Sequence, residues 1–329
     1  MSETLPLKNP PEHTRMRRLL GNPFNPGALT SMRPSIERVV ERQLDAFTNA
    51  LKEGPADFTE LVSEEIPVFA IGEWMGIPPS DYPLLRSLTH DQVFTQELFP
   101  TASEIAISDT ATARLRSYFS DLVSERQREP GTDPVSTWIR NWDAVEPGEA
   151  TDAVRSLALF MVLAALETSS HLLANVVRLL LEHPEQYLEL QERADLVPDA
   201  IEETLRFDAP IHMITRVAVT PTEVSGVLVN AGEMVHLMVG SAHHDPQHYE
   251  EPARFDIRRR LDGRGTIGHL GFGAGIHYCL GNALARLEAE VLLNALISRR
   301  MTSLRIHTPP AWAPRVVFRR MTSLIVAAV

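Results

Sequence analysis

Residues 272 to 281 read FGAGIHYCLG and carry the only cysteine of the chain, Cys279. Glycines on both sides of the sulfur permit tight turns and a close approach of the backbone to a flat ligand. An apolar helical pattern begins directly after the loop, so N–H groups at the positive end of a helix dipole favour the thiolate form. A lone cysteine is most often a small buried hydrophobe. In this setting we expect a sulfur that binds a ligand.

The loop around Cys279 resembles the heme-binding loop of the cytochrome P450 family. The resemblance is carried by Phe272, Gly273, Gly275, His277, Cys279 and Gly281. It implies that Cys279 is the axial thiolate ligand of a heme b iron. It also implies that Phe272, Gly273 and Gly281 contact the cofactor and that His277 binds a heme propionate.

The composition indicates one soluble folded unit. The chain has 329 residues, of which 44% are hydrophobic, and a formal net charge of -12. One cysteine excludes an internal disulfide and is typical of a reducing cytoplasm. The acidic charge argues against a nucleic-acid partner, and neither a secretory signal nor an apolar run long enough for a bilayer is evident. We therefore expect a single cytoplasmic heme-binding domain over residues 1–329, with no membrane partner.

Hydrophobic periodicity predicts an α+β protein that is mainly α-helical. Proline and glycine boundaries predict helices at about 34–52, 58–75, 105–128, 152–183, 198–207 and 281–299. Valine-rich segments predict strands at 216–220, 224–229 and 234–239, and residues 245–275 are expected to be irregular. The helix at 152–183 is apolar on all sides in its middle, so it should cross the interior.

Glu203 and Arg206 lie three residues apart on one helical face, a spacing that by itself indicates a surface ion pair of little energetic value. Their order before Arg254, which lies in the sequence PARFD, resembles the Glu-x-x-Arg helix and the later arginine of the P450 family. The resemblance implies that Glu203, Arg206 and Arg254 form a buried charge network. Removal of one member would leave its partners uncompensated, at a cost of several kcal/mol.

Glu167 and Thr168 lie in the middle of the long apolar helix. Burial of a carboxyl group at this position costs free energy. Glu167 therefore either reaches solvent, with the Thr168 hydroxyl hydrogen-bonded to its own helix, or serves a function. The segment resembles the acid–alcohol pair of P450 enzymes, which implies that Glu167 and Thr168 supply protons for dioxygen cleavage. Ala165 departs from the family, which most often has glycine at this position, and we expect it to narrow the oxygen groove.

Four basic residues match the propionate ligands of the family. His13 and Arg17 share one helical face near the start of the chain, Arg216 enters the first strand after the Glu-x-x-Arg helix, and His277 precedes the cysteine. Each is an ordinary basic residue alone, but together they would neutralise two carboxylates. The histidine pair 243–244 is a weaker metal candidate, because no partners at zinc spacing accompany it.

The resemblance covers practically the whole chain from Pro10 onward and matches the soluble bacterial class. It implies a P450-like fold that lacks the N-terminal helices and much of the larger β-sheet, since a substantial portion precedes the propionate helix in that family. A pocket without this portion would expose apolar surface. We therefore expect a second copy of the chain or a partner protein to complete the pocket.

The resemblance implies monooxygenation or oxidative coupling of a hydrophobic small molecule in specialised metabolism. Electrons would come from NAD(P)H through a ferredoxin and a ferredoxin reductase, since the chain has no flavin or nicotinamide motif. The segments expected to line the substrate pocket are near 162–168, 211–214 and 96–101, and they are mainly apolar.

Two other functions remain open. A redox-neutral, heme-dependent cyclase or isomerase is consistent with Ala165 and with the missing N-terminal portion. A heme-free helper protein of a glycosyltransferase is the third possibility, but such helpers lose the cysteine that this chain retains at position 279.

Overall fold

Helices form most of the computed structural model, which describes residues 4–148, 150–259, 268–301 and 303–328. The α-helices are α1 (Glu12–Leu20), α2 (Pro26–Glu53), α3 (Glu65–Trp74), α4 (Tyr82–Gln92), α5 (Ala102–Arg128), α6 (Pro134–Asp143), α7 (Ala150–Glu182), α8 (Pro184–Glu192), α9 (Val197–Phe207), α10 (Val239–Ala242) and α11 (Asn282–Ser298). Short 3-10 or π turns occupy Leu5–Leu7, Thr59–Ser63, Pro79–Asp81, Val93–Gln96, Ala194–Leu196 and Gly275–His277. Together with several short strands, these helices confirm the mainly α-helical α+β class.

Each expected helix is present, and the largest difference is at the start of α2. This helix begins at Pro26, because the Asn25 side chain accepts a hydrogen bond from the Ala28 N–H at 3.1 Å and proline suits the first helical position. Pro34, which the sequence predicts as the first residue, lies inside the helix. Its missing N–H is tolerated because Ile36 and the following turns pack into the core.

Four helices and one helical break were not expected from the sequence. The four helices are α4, α6, α8 and α10. Helix α6 begins where Asp133 accepts a hydrogen bond from the Ser136 N–H at 3.0 Å. The segment expected to be one helix at 58–75 is divided into the π turn Thr59–Ser63 and α3. Short amphipathic helices next to prolines resemble loops in sequence, so their periodicity is easily missed.

Helix α7 lies at the centre of the fold. It packs against α3, α4, α5, α6, α9 and α11. By length and composition alone α7 is able to span a membrane, but 78% of its most apolar window is buried inside the protein. That burial is typical of the core helix of a folded domain and agrees with the prediction that this helix crosses the interior.

The strands are short and form separate small sheets. They are β1 (Ala56–Asp57), β2 (Met213–Val217), β3 (Thr222–Val224), β4 (Val227–Val229), β5 (Met234–Met238), β6 (Leu304–Ile306), β7 (Ala311–Trp312), β8 (Met321–Ser323) and β9 (Ile325–Ala328). The order β1-β9-β6 forms one sheet, and β2-β5, β3-β4 and β7-β8 form antiparallel pairs.

Strand boundaries differ from the expectation in two places. The strand expected at 224–229 is divided, because Ser225 and Gly226 have φ values of 50° and 81° and turn the chain between β3 and β4. The strand expected at 216–220 lies three residues earlier, because β2 pairs with β5 from Met213 opposite Met238 onward. Part of the irregular segment 245–275 lies outside the described residues.

The hairpins β2–β5 and β3–β4 present apolar side chains to solvent. The exposed side chains are Val217, Val224, Val227, Leu228, Met234, Leu237 and Met238. We name this surface the apolar hairpin face. Exposed apolar side chains of this number favour contact with another polypeptide or a ligand.

Candidate active site

A cavity of about 350 Å³ lies between α7 and the loop that carries Cys279. Its walls also include parts of α1, α11 and residues 210–216, and its volume is within the range of cofactor and ligand pockets. The cavity brings together the predicted site residues His13, Arg17, Ala165, Thr168, Arg216, Phe272, Gly273, His277, Cys279 and Gly281. The predicted residues Glu167, Glu203, Arg206 and Arg254 do not line it.

Two glycines shape the loop in front of the cysteine. Gly273 and Gly275 have φ values of 69° and 71°, a conformation that side chains with a Cβ rarely adopt. A Cβ at either position would meet no atom within 4 Å, so backbone conformation rather than crowding selects glycine. The Cys279 N–H donates to the Phe272 carbonyl oxygen at 3.0 Å and closes the loop.

The cysteine lies just before the first turn of α11. Burial raises the pKa of the Cys279 thiol, whereas the backbone N–H of Gly281 and the guanidinium groups of Arg17 and Arg286 lower it. Coordination to a metal ion deprotonates a thiol outright. The surroundings therefore suit a sulfur that is neutral when free and anionic when it binds a metal.

Three side chains behind the loop form what we name the Glu202 clamp: Glu202, His269 and Arg286. Glu202 accepts hydrogen bonds from Arg286 Nε at 2.6 Å and Nη2 at 3.0 Å, and its Oε2 lies 3.2 Å from His269 Nε2. The Arg286 guanidinium also lies 4.4 Å from the centre of the Phe272 ring. Burial raises the pKa of Glu202, but the hydrogen bonds from His269 and Arg286 outweigh it and bring the pKa to about 2.

His243 supports the loop as a hydrogen-bond acceptor. Its Nε2 accepts from the Leu270 N–H at 2.7 Å, and burial beside His269 lowers its pKa to about 4. The His244 ring contacts the Gly240 carbonyl oxygen instead. Within the described ranges, no group of three or more His, Cys, Asp or Glu residues is arranged to hold a metal.

The four predicted propionate ligands lie at one edge of the cavity. The rings of His13 and His277 are 4.4 Å apart between centroids, and Arg17 Nη2 donates to the Tyr278 carbonyl oxygen at 3.4 Å. Burial and Arg17 lower the pKa of His13, and burial together with His13, Arg216 and Arg17 lowers the pKa of His277. His13 Nε2 is buried and has no hydrogen-bond partner among the described residues. Clustered cationic groups with an unpartnered nitrogen suit bound carboxylates, so these residues fit the propionates of heme.

Glu203 and Arg206 form the buried ion pair that the sequence predicts, but the third member is Arg259. The Glu203 carboxylate accepts from Arg206 Nε at 2.7 Å and from Arg259 Nε at 3.0 Å. The Arg254 side chain is 58% exposed and pairs with Glu251, so the prediction for Arg254 is wrong. The Arg254 carbonyl oxygen accepts hydrogen bonds from Arg206 and Arg259, so Arg254 contributes to the network through its backbone while its side chain faces solvent.

The α7 wall of the cavity carries Ala165 and Thr168. Thr168 Oγ1 donates to the Ala164 carbonyl oxygen at 2.7 Å, so its hydroxyl is bonded to its own helix. Glu167 is 2% exposed and lies behind this wall, where its Oε1 accepts from Arg315 Nη1 at 2.6 Å. The predicted acid–alcohol pair is therefore divided between the cavity surface and the protein interior.

Glu167 belongs to a buried ionic group that joins α4, α7, the turn before α3 and the C-terminal segment. We name it the Glu167 cluster; its members are Glu64, His90, Glu167, His171, Arg315 and Arg320. His171 Nε2 lies 3.6 Å and His90 Nε2 3.8 Å from the Glu167 carboxylate. Burial raises the pKa of Glu167, and Arg320 and Arg315 oppose part of the rise. Burial has the opposite effect on the imidazole of His90 and lowers its pKa to about 3.

Two of the three segments expected to line the substrate pocket contribute to this cavity, through Ala164, Ala165 and Thr168 and through Ile211 and Ile214. Residues 96–101 are not among the residues that line this cavity. The reason is that Glu97 turns toward the C-terminal segment and accepts hydrogen bonds from the N–H groups of residues 316–318.

Several residues of the site were not found from the sequence, namely Glu202, Arg259, His269, Arg286 and Arg315. Arg259 lies in the run of arginines at 258–260, and this run is visible in the sequence as a possible partner for Glu203. In the Glu202 clamp, His269 and Arg286 follow Glu202 by 67 and 84 residues, so no local spacing in the sequence identifies them as its partners.

Comparison with known proteins now identifies the family. The cytochrome P450 family model matches residues 146–309. The chain is 32% identical to the cytochrome P450 monooxygenase PikC of Streptomyces venezuelae over 320 residues, which is 96% of this chain and 74% of PikC. It is 33% identical to the biotin biosynthesis cytochrome P450 of Bacillus subtilis (strain 168) over 300 residues, which is 91% of this chain and 73% of the relative.

A solved structure gives the same result for the fold. The crystal structure of P450BioI in complex with hexadec-9Z-enoic acid ligated acyl carrier protein superposes with a TM-score of 0.91 at 30% identity, covering 100% of this chain and 82% of that chain. The chain belongs to the cytochrome P450 family, in its soluble bacterial class. It is a heme-thiolate oxidoreductase of the monooxygenase type, takes heme b as its cofactor and receives electrons from external redox partners. When bound, the heme supplies the iron and the redox chemistry.

Proposed function

We propose that this protein hydroxylates, epoxidises or oxidatively couples a hydrophobic small molecule in specialised metabolism. The observation that carries the proposal is the single cavity shared by Cys279 and the α7 surface at Thr168. Phe160, Met161 and Ile214 add apolar wall to the same cavity, which favours an apolar substrate. In this proposal Cys279 binds the heme iron, and His13, Arg17, Arg216 and His277 bind the propionates.

Thr168 and Glu167 are proposed to manage the protons of the reaction. The Thr168 hydroxyl can both donate and accept a hydrogen bond at the cavity surface. Glu167 is held by Arg315 behind α7. Transfer of a proton from Glu167 to the cavity therefore requires its side chain to leave Arg315, and Ala165 limits the space beside Thr168.

The electron supply follows from the family and from the sequence. A ferredoxin and an NAD(P)H-dependent ferredoxin reductase are the proposed partners, and the proposed compartment is the cytoplasm. We propose that residues 1–329 act as one heme-binding domain, because α7 and α11 pack against each other and both form walls of the cavity.

The test is reconstitution of the heme-loaded protein with ferredoxin, reductase, NADPH and isotopically labelled dioxygen over a panel of apolar substrates. The proposal predicts product that depends on NADPH and dioxygen, with labelled oxygen retained when the reaction is a hydroxylation or epoxidation. Product that forms in the absence of both NADPH and dioxygen would contradict it.

A redox-neutral cyclase or isomerase is the second candidate. Two observations favour it: the Thr168 hydroxyl is bonded to its own helix, and Glu167 is tied to Arg315. The glycosyltransferase-helper function is less favoured, since the chain keeps Cys279 and a cluster of cationic residues that suits propionates.

We also propose that the apolar hairpin face is covered in solution by a second copy of this chain. The face is formed by β2–β5 and β3–β4, whose valine, leucine and methionine side chains are exposed. Sedimentation equilibrium of the heme-loaded protein at micromolar concentration tests this, with a concentration-dependent dimer as the predicted result. A strict monomer would contradict it. Replacement of Val227 and Leu228 by Lys is expected to shift a dimer to monomer.

A further inference from the structure

A buried ionic group lies beside residues 210–214, which form one wall of the cavity through Pro210, Ile211 and Ile214. We name this group the Asp208 anchor; its members are Asn175, Arg178, Asp208, His212 and Arg319. Asp208 follows α9 directly and is 9% exposed. None of these five described residues lines the cavity itself. The anchor is therefore a support for the wall and not a part of it.

The Asp208 carboxylate joins three separate parts of the chain. Its Oδ2 accepts a hydrogen bond from Arg178 Nη2 of α7 at 2.7 Å. Its Oδ1 lies 3.1 Å from His212 Nε2 and accepts from Arg319 Nε at 3.4 Å. Burial raises the pKa of Asp208, but these three partners outweigh burial and bring the pKa below its usual value. A charged carboxylate thus holds α7, the wall and the C-terminal segment together.

The C-terminal segment is also joined to the wall through the backbone. Residues 210–212 and 317–319 share two backbone hydrogen bonds, each of 2.9 Å, on either side of an antiparallel β-bridge. The Arg319 guanidinium carbon lies 3.5 Å from the centre of the Trp312 ring, and this stacking favours one direction of the side chain. His212 and Arg319 therefore reach the same carboxylate from two paired segments.

Neighbouring side chains of the wall point to opposite sides. Ile211 lines the cavity, whereas His212 reaches the Asp208 carboxylate. Extended backbone places successive side chains on opposite faces, so a residue held on one face fixes its neighbour on the other. The position of Ile211 in the cavity is therefore tied to the hydrogen bond of His212.

We propose that the Asp208 anchor determines the fit of the substrate by fixing Ile211 in the cavity wall, with His212 and Arg319 as positioning residues. Apolar pocket walls select ligands by shape, and a wall that is ordered before binding loses less conformational entropy when the ligand arrives. This inference rests on the proposed use of the cavity as the substrate pocket.

The probes are imidazole and 4-phenylimidazole, which bind heme iron in the heme-loaded protein and differ by one apolar ring. Soret titrations give both dissociation constants without turnover. The tested variants are His212→Phe and Arg319→Met, whose original side chains are 31% and 37% exposed, so both variants are expected to fold. We expect each variant to weaken 4-phenylimidazole about fivefold and to leave imidazole unchanged, because only the larger ligand depends on the ordered wall.

Conservative variants and a matched control separate positioning from folding. His212→Gln and Arg319→Lys keep a donor for Asp208 and should restore the wild-type ratio of the two dissociation constants. His236→Phe removes a histidine of β5 that contacts Thr215 instead of Asp208, and it should leave the ratio unchanged.

A double-mutant cycle tests whether the anchor acts through Ile211. Ile211→Ala should itself weaken 4-phenylimidazole. Adding His212→Phe to Ile211→Ala should have no further effect, because the side chain that His212 positions is absent.

Three results would overturn the inference. They are an unchanged ratio in both His212→Phe and Arg319→Met, an equal loss for both probes, and a loss that adds in full to that of Ile211→Ala. The titrations need neither dioxygen nor NADPH, so they are independent of the proposed reaction. A protein that shows the predicted ratios but oxidises no apolar substrate would contradict the proposed function alone.

Discussion

The two walls of the cavity differ in how their buried charges are satisfied. On the cysteine side, the Glu202 clamp and the pair Glu203–Arg206 place each acid against several donors at hydrogen-bond distance. On the α7 side, Glu167 leaves one carboxyl oxygen, Oε2, without a hydrogen-bond partner among the described residues. One wall is therefore built to hold a group in place, whereas the other retains a buried acid whose pKa is raised by burial.

The largest expected effect comes from the cysteine side. Glu203→Ala leaves Arg206 and Arg259 buried without their shared carboxylate, so we expect a loss of about 3–5 kcal/mol in the free energy of unfolding. Arg254→Ala is the matched control, because this side chain is exposed, and its loss should be within about 0.5 kcal/mol. Urea unfolding followed by circular dichroism measures both. Equal losses in the free energy of unfolding for the two variants would show that the Arg254 side chain belongs to the buried charge network.

A smaller loss is expected where the clamp holds the loop. Arg286→Met removes both hydrogen bonds to Glu202 and the contact with the Phe272 ring, at an expected cost of about 2 kcal/mol in the free energy of unfolding. Because the loop is then less well held, heme should also dissociate faster. Arg258→Met, which removes an arginine that pairs with Glu189 at the surface, serves as the control. An Arg286→Met protein that retains heme as tightly as this control would contradict a holding role.

The smallest effect is expected on the α7 side, and it depends on pH. Arg315→Met removes the nearest cation from Glu167, but the acid can bind a proton instead of remaining an uncompensated charge. The pKa of Glu167 is raised in the folded state, so binding of a proton to Glu167 stabilises the fold. This contribution to the free energy of unfolding is fully present below the pKa of Glu167 in the unfolded chain and is lost as pH rises through the pKa in the folded state.

Arg315→Met raises that folded pKa further, so the variant should differ little from the wild type at pH 5 and by about 1–2 kcal/mol at pH 8. Urea unfolding at the two pH values gives the comparison. A difference at pH 5 that is as large as the difference at pH 8 would contradict this account, because Glu167 would then remain charged in the folded variant at both pH values.

The parts of this molecule that the sequence predicts are those with local patterns. The cysteine loop, the apolar helix α7 and the Glu203–Arg206 spacing each lie within a single segment, and each is present. The residues that were missed depend on pairings far along the chain. Arg315 is 148 residues from Glu167, and Arg286 is 84 residues from Glu202. Arg254 shows the converse error, because local sequence does not determine whether its carbonyl group or its side chain faces the network.

The strands show a related limit. Valine-rich sequence predicts strands between residues 216 and 239, but not where each strand begins, because register is set by pairing between β2 and β5. The turn at Ser225 and Gly226 was also hidden, since valines flank it on both sides.

The central claim is that Cys279 supplies the thiolate that binds heme iron. The most direct measurement is the absorption spectrum of the purified, heme-loaded protein after reduction with dithionite and exposure to carbon monoxide, for the wild type and for Cys279→Ser. The account predicts a strongly red-shifted Soret band in the wild type and its loss in the variant. A red shift that persists in Cys279→Ser, or a wild type that binds no heme when heme is supplied, would contradict it.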